Sequence, residues 1–584
     1  MLPTWRNLLW AVVWALPAVW IALLVHRYGV NVPHLDQWNG LAPLFAKADE
    51  GTLGFADFAA QHNEHRLLVP RLLMFALARL THWNILAELW VVWLLGWLCL
   101  ASLIRLAGST GFRASANPWP LLGASALVFS PMSWENWLWG FQIGFLLPVV
   151  CFFAIAWVAS SMRHPWNFLV TMALCLVCTF SIGSGFTYWI LAFPMFLFPG
   201  AAARWKARKR WMLAYLLAFA SSTASYFVGY TKPELHPSPL FVLGHPVAGL
   251  RSFLAVLGAP FAHGTALEPF SVAEIVGGVF VILLIGALFT ILRRRSDQEL
   301  LARALPWITL AGFACLNATA ITVGRLGLGA VACAMPSRYT PFSTALPIAL
   351  LFLLPLIVRH GRDDAKSSGN VDRVSTALTC VASAIALLHV LGAISVVGQW
   401  RDIQHSRLHE KSIVALSHIV DDPALLASHV HPFPEPLRPL IGTLDRLGYL
   451  TPGLVHTDNA NDLADPNAPG PAHHGAIEQS GRLANGRFLI AGWAVLPGKE
   501  RPADAVLLTY DDSNGVARIF SVAVPQEYRP DIASGLNVPA YVNCGWMKQL
   551  DTSALPQGMR HVRAWAFDVE RMRAYPVEGA ATAN

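Results

Sequence analysis

The sequence predicts a polytopic α-helical membrane protein of about eleven spans, ending in an all-β, sandwich-like soluble domain. Three observations predict it. Of 584 residues, 55% are hydrophobic and only 13% are charged, where soluble domains carry about 25% charged residues. Apolar runs near the 20-residue length that crosses a bilayer recur from residue 8 to residue 397. After them the pattern changes to short strand-like runs separated by turn residues.

The first apolar run, Leu8–Val25, follows Arg6 and precedes His26-Arg27-Tyr28. No small-x-small cleavage site follows it, so it reads as a retained first helix. The expected spans are residues 8–26, 85–104, 118–134, 141–161, 167–183, 186–203, 212–230, 272–292, 304–323, 341–358 and 375–397. Leu67–Thr81 is apolar but short and is interrupted by Arg71 and Arg79. It reads as a helix lying in the interface or packed under the first loop.

Cationic loops set the orientation. The markers are Arg204, Lys206, Arg208, Lys209 and Arg210, then Arg293–Arg295, then Arg359, Arg362, Lys366 and Arg373. Arg6, Arg105, Arg113 and Arg163 add to them. Eleven spans with the N-terminus cytoplasmic put every marker inside and the C-terminal part outside. In a bacterial inner membrane that outside is the periplasm. The net charge of +7 lies mostly in these loops, so it reads as topology rather than nucleic-acid binding. Trp (23) and Phe (31) are abundant, as expected of rings at the headgroup level.

The domains then read as a transmembrane part, 1–398, holding a first outer loop at 27–84; a helical and linker region, 399–474; and a β domain, 475–584. In 399–474, Ile413, Val414, Leu416 and Ile419 recur at helical spacing, while Asp462–Gly475 is rich in Asp, Asn, Pro and Gly. Strand-like runs are Arg487–Val495, Ala505–Tyr510, Arg518–Val524 and His561–Asp568. The eight cysteines form neither a disulfide framework nor a zinc pattern. Cys175 and Cys178 sit inside an apolar run and read as core.

With this threading, the unusual polar motifs all fall on the outer face. Asp36 follows the first span by about ten residues. A carboxylate there can take the proton of an attacking hydroxyl, or it is a solvated loop acid. Trp38 stands beside it. Glu64-His65-Arg66 joins an acid, a titratable ring and a fixed cation. Arg suits phosphate because its planar fork binds two oxygens. Glu64 is a candidate to orient Arg66 or His65; with Asp36 and His65 it is a donor set that Mg²⁺ or Mn²⁺ accepts. The plain alternative is a helix start.

Arg325 and Arg338-Tyr339 place cations against the positive-inside trend. They suit a lipid phosphate, or ordinary headgroup contact. Trp134-Glu135-Asn136-Trp137, Trp139 and Gln142 offer rings for stacking and polar atoms for sugar hydroxyls, or an aromatic belt. Gly183 and Gly185 beside Ser184 permit close backbone approach. The spans hold almost no Asp, Glu, Lys or Arg, which argues against an ion-coupled carrier.

A first span, an outer loop with an acid shortly after it at Asp36, many further spans and an outer C-terminal domain resemble the GT-C superfamily of membrane glycosyltransferases. That superfamily includes protein O-mannosyltransferases and aminoarabinose transferases. The resemblance spans roughly residues 1–400. It implies a transferase with Asp36 as catalytic acid-base residue, a polyprenyl-phosphate sugar as donor and a glycan or lipid as acceptor. Many members carry two adjacent acids where this chain has Asp36-Gln37, which leaves Glu64 as the candidate second carboxylate. Catalytic candidates are thus Asp36, Glu64 and His65. Substrate-binding candidates are Arg66, Trp38, Glu135, Asn136, Gln142, Arg325, Arg338 and Tyr339. A lipid-linked glycan flippase and an O-antigen-type polymerase are the alternative readings.

Overall fold

A computed structural model describes residues 5–160, 165–197, 205–234, 236–363, 368–467, 470–551 and 561–582. Of the orientation markers, Arg163, Arg204 and Lys366 lie outside them. The chain forms two compact units: Met1–Gly29, Gly54–Ala76 and Leu86–Trp400; and Val30–Leu53, Leu77–Ile85 and Arg401–Asn584. The first loop, expected as one piece, is therefore shared between the two.

The first unit is helical. Among the described residues six helices are long and apolar enough to cross a membrane, or seven if a pair bent by 46°, Ala330–Ser343 and Ala345–His360, is one span. Their outward faces are apolar: on Pro269–Arg293, Ile275, Ile282, Ile285 and Leu292 are each at least 59% exposed. Such a stripe calls for lipid or protein over it. The helices suit a multi-pass membrane protein.

Most of the other expected spans are helices too, but shorter or broken. Trp119–Val128 has 10 residues; Pro131 follows shortly, and the residue before a proline is biased out of the helical region. Pro165–Thr179 has 15. Tyr188–Ala192 is one short piece, and Pro194 begins the next. Trp205–Phe227 is 23 residues long but opens on a basic turn. Pro246–Gly258, not expected from the sequence, packs along Pro269–Arg293. There the side that Gly258 leaves open is filled by the Ala273 carbonyl, and that of Gly277 by the Leu254 carbonyl. Leu68–Thr81 is a 14-residue helix, about 21 Å long, too short for a 30 Å hydrocarbon core.

The second unit holds two antiparallel sheets. We number the strands β1 (Gln61–His62) and β2 (His65–Arg66), a hairpin of the first unit, then β3 (Gly475–Arg482), β4 (Phe488–Leu496), β5 (Arg501–Pro502), β6 (Ala505–Asp511), β7 (Ala517–Ala523), β8 (Gly545–Leu550), β9 (His561–Asp568), β10 (Arg573–Pro576) and β11 (Ala581–Thr582). One sheet runs β10-β9-β6-β7 with β11 on β9; the other runs β3-β4-β5 with β8 on β4. Their facing sides share one core, in which Ile490 and Trp546 meet Val506, Leu508 and Ala564. Trp546 is fully buried there.

The outer side of the larger sheet carries a second core. Leu507, Ile519 and Phe567 pack with Leu408 and Leu416 of the helix Val397–Leu416, and with Val30 and Val32 of the first loop. These valines tie the start of the loop to this unit. Ala460 and Leu463, in and beside the stretch expected as linker, are buried in the same core.

Candidate functional site

In the first unit, β1 and β2 pair with His62 opposite His65 and Gln61 opposite Arg66. Asn63 makes the turn in the left-handed region, φ 49°, a conformation Asn tolerates better than most side chains. The turn is clamped from outside. Gln61 Nε2 donates to the Thr231 carbonyl at 2.6 Å, and Thr231 N–H donates back to Gln61 Oε1 at 3.0 Å. The Tyr226 hydroxyl donates to the Glu64 carbonyl. Arg66 donates to the carbonyls of Ala59 at 3.1 Å, Tyr226 at 3.1 Å, and Val228. The guanidinium expected to meet phosphate thus fastens the hairpin.

Held this way, Glu64 gathers three partners. Arg325 donates Nη2–H to its Oε1. His65 Nε2 lies 3.6 Å from Oε1, and His236 Nδ1 lies 3.3 Å from Oε2. Burial works to raise the Glu64 carboxyl, but His65, Arg325 and His236 outweigh it and hold it below its ordinary range. Burial, opposed by Glu64 and aided by Arg325 and Lys232, lowers His236. His65 Nδ1 accepts the Gly183 N–H at 2.8 Å, so the ring proton of neutral His65 sits on Nε2, toward Glu64. A Cβ on Gly183 would lie 3.1 Å from that Nδ1 and 3.2 Å from the Glu64 carbonyl. Among the described residues the Arg325 side chain makes no hydrogen bond besides the one to Glu64, which leaves most of its five N–H donors uncommitted.

A second acid–cation pair belongs to the same unit. Arg338 Nη1 donates to Glu135 Oε1 at 2.7 Å, and Arg338 N–H and the Ser337 hydroxyl donate to Oε2 at 2.9 and 3.0 Å. The guanidinium carbon lies 5.1 Å from the centre of the buried Tyr339 ring. Asn136 donates to Ser133 at 2.9 Å and to the Ser337 carbonyl at 3.3 Å. Gln142 is fully buried, and neither of its amide atoms has a hydrogen-bond partner among the described residues. Trp137 and Trp139 are buried as well; the Trp137 N–H meets the Ser130 carbonyl at 2.9 Å. These two rings pack the interior rather than line an open wall.

Asp36 belongs to the second unit. It opens the short helix Asp36–Gly40 and is half-buried. The residue before it, Leu35, has φ 42°, a strained value for a branched side chain, of order 1–3 kcal/mol. The turn closes on itself: Gln37 N–H meets the His34 carbonyl, and His34 N–H meets Gln37 Oε1, each at 3.0 Å. Trp38, expected to face substrate, is 1% exposed; its indole N–H points to Glu410 Oε1 at 3.4 Å. His34 Nδ1 lies 2.8 Å from Glu410 Oε2.

Glu410 sits on Val397–Leu416, beyond the apolar helix that ends at Ser395, among Arg407, His409 and Lys411. It is fully buried. Burial pushes its carboxyl up to about 8, against Arg407 and Trp38. Burial, then Arg407 and His431, hold His34 well below the ordinary imidazole value.

Two participants escaped the sequence reading. His236 lies in the loop Lys232-Pro233-Glu234-Leu235-His236-Pro237, whose polar content was the available signal. Glu410 stands one helical turn before the apolar positions Ile413 and Val414, a weaker signal. Among the described residues no three His, Cys, Asp or Glu side chains are grouped to hold a metal ion. At Glu64 the Arg325 cation stands where a divalent ion would bind, so this set does not fit Mg²⁺ or Mn²⁺. Family models, curated proteins and solved structures return no match to this chain.

Proposed function

We propose that this chain is a membrane glycosyltransferase that moves a sugar from a polyprenyl-phosphate donor to a glycan or lipid acceptor. The observation that carries the reading is Arg325. Glu64 fixes this cation at one nitrogen, two imidazoles stand at the same carboxylate, and the remaining N–H donors are uncommitted among the described residues. A planar fork with spare donors suits a phosphate oxygen pair, and a half-buried place strengthens it.

The chemistry follows from these groups. The acceptor hydroxyl attacks the anomeric carbon, the bond from that carbon to the phosphate oxygen breaks, and polyprenyl phosphate leaves. Arg325 meets the charge that grows on the leaving oxygen. Glu64 keeps Arg325 in place, and His65 steadies Glu64. Asp36, of the second unit, is the base for the acceptor proton that the GT-C resemblance implies. One displacement of this kind inverts the anomeric centre. The eleven-span threading, with the N-terminus cytoplasmic and the β domain periplasmic, belongs to the same reading. It places donor and acceptor on the outer face of a bacterial inner membrane.

The test is reconstitution. Protein in liposomes receives radiolabelled polyprenyl-phosphate hexoses with envelope glycans and lipids as acceptors. Label passing to a heavier product, with polyprenyl phosphate released, supports the reading. Donor crossing the bilayer intact, with no new glycosidic bond, replaces it with the flippase.

A smaller effect is expected at the hairpin support. Gly183→Ala crowds His65 Nδ1 and the Glu64 carbonyl. We expect a loss of about 1 kcal/mol in donor binding, near fivefold in KM, with kcat little changed. An unchanged KM would separate His65 from donor binding.

A further inference from the structure

A single buried carboxyl holds both ends of the turn that carries Asp36. Glu410 meets His34 through Oε2 and Trp38 through Oε1, and these two residues bracket Asp36 at two positions before and two after. The turn needs such a hold, because Leu35 at φ 42° works against it. Glu410, Gln37 and Trp38 are at most 1% exposed, so water does not compete for these bonds while the turn is closed. The charged and titratable groups that face the pair are Arg407 on Glu410's own helix, 3.7 Å from Oε2, and His431 from the segment beyond, which acts on His34.

We propose that Glu410 is a positioning residue for Asp36: its buried carboxyl grips the turn through His34 and Trp38 and loosens it on losing its proton. The catalytic part of this inference rests on the reading of Asp36 as the base; the grip itself does not.

In an opened turn Glu410 gives up its proton near 4.5 and His34 near 6.5, while the closed pair keeps one proton up to about 8. Between 4.5 and 6.5 both states hold one proton, so opening is indifferent to pH there. Between 6.5 and 8 the closed turn holds one more than the open turn. Opening therefore becomes easier as pH rises, by about thirtyfold over that interval.

Hydrogen exchange of the full-length protein in lipid nanodiscs, read on residues 34–41 and corrected for the intrinsic rate, tests the grip without needing activity. Wild type is expected to lose about thirtyfold in protection between pH 6.5 and 8. Glu410→Gln, whose amide can still meet His34 and Trp38 but does not titrate, is expected to stay flat. Glu410→Leu is expected to be unprotected throughout; should it fail to fold, Glu410→Gln decides alone.

A flat wild-type profile, or a Glu410→Gln profile that falls like wild type, overturns the proposal. Sugar transfer is then followed over the same pH range, where an alkaline loss present in wild type and absent in Glu410→Gln links the grip to Asp36. Absence of any transfer beside the expected exchange pattern removes the transferase reading and leaves the grip standing. Equal alkaline loss of transfer in both proteins removes the link.

Discussion

Asp36→Asn is expected to slow sugar transfer about 10²–10⁴-fold, the usual contribution of a positioned base, with the protein made at its normal level. The side chain is nearly isosteric. It leaves the helix Asp36–Gly40 and the bonds among His34, Gln37 and Trp38 untouched. What it removes is the carboxylate proposed to accept the acceptor's proton. The loss should fall on kcat, because a proton transfer is made in the transition state and not in the bound ground state. Asp36→Glu keeps the base but shifts it by one methylene, so it should recover part of the rate. Steady-state kinetics on the reconstituted protein measures both. Equal rates for wild type and Asp36→Asn would assign Asp36 to the loop and not to the chemistry.

Arg325→Ala is expected to cost about 10²–10³-fold in kcat/KM, the scale of losing one preorganised group that meets developing charge. It also leaves Glu64 with His65 and His236 alone. Unpairing a half-buried carboxylate takes about 1–3 kcal/mol from local stability, so thermal unfolding must be followed beside activity. Arg325→Lys separates the two effects. A lysine ammonium can neutralise Glu64 but cannot fork onto two phosphate oxygens. It should restore stability and recover transfer only in part. Full recovery with lysine would mean that Arg325 serves Glu64 and not the donor.

Helix-forming apolar runs were legible because burial and lipid both demand them. Leu8–Tyr28, Ile85–Ser109 and Pro269–Arg293 stand where the sequence placed spans. Their number was less legible, because apolar content does not report where a proline or a polar turn breaks a run. Trp119–Val128 and Tyr188–Ala192 are the examples. In the β region β9 coincides with the expected run, and β4, β6 and β7 match within one residue at each end. Their alternation follows from one face packing inward. β3 was missed: Glu478, Gln479 and Ser480 give it an exposed, polar look with no such alternation.

The site divides in the same way. The acids and cations of Glu64 with Arg325, and of Glu135 with Arg338, were visible as motifs because charged residues are rare in this chain. Their pairing was not, since 261 and 203 residues separate the partners. Arg66 carried the same signal as Arg325, yet its donors meet backbone carbonyls. Only the fold around Tyr226 and Val228 distinguishes the two. Trp38 and Gln142 looked like binding groups by type and are buried. The division of the first loop between two units was hidden because Val30 and Val32 are two valines in a polar stretch, too few to announce a core.

We propose that the chain forms a glycosidic bond with Asp36 as base. The most direct measurement is the mass profile of envelope glycans and glycolipids in a deletion strain, restored with wild type or with Asp36→Asn. The expected profile lacks a sugar-sized increment that wild type restores and Asp36→Asn, present at equal level, does not. A full profile restored by Asp36→Asn, or a deletion that alters only chain length, would contradict it.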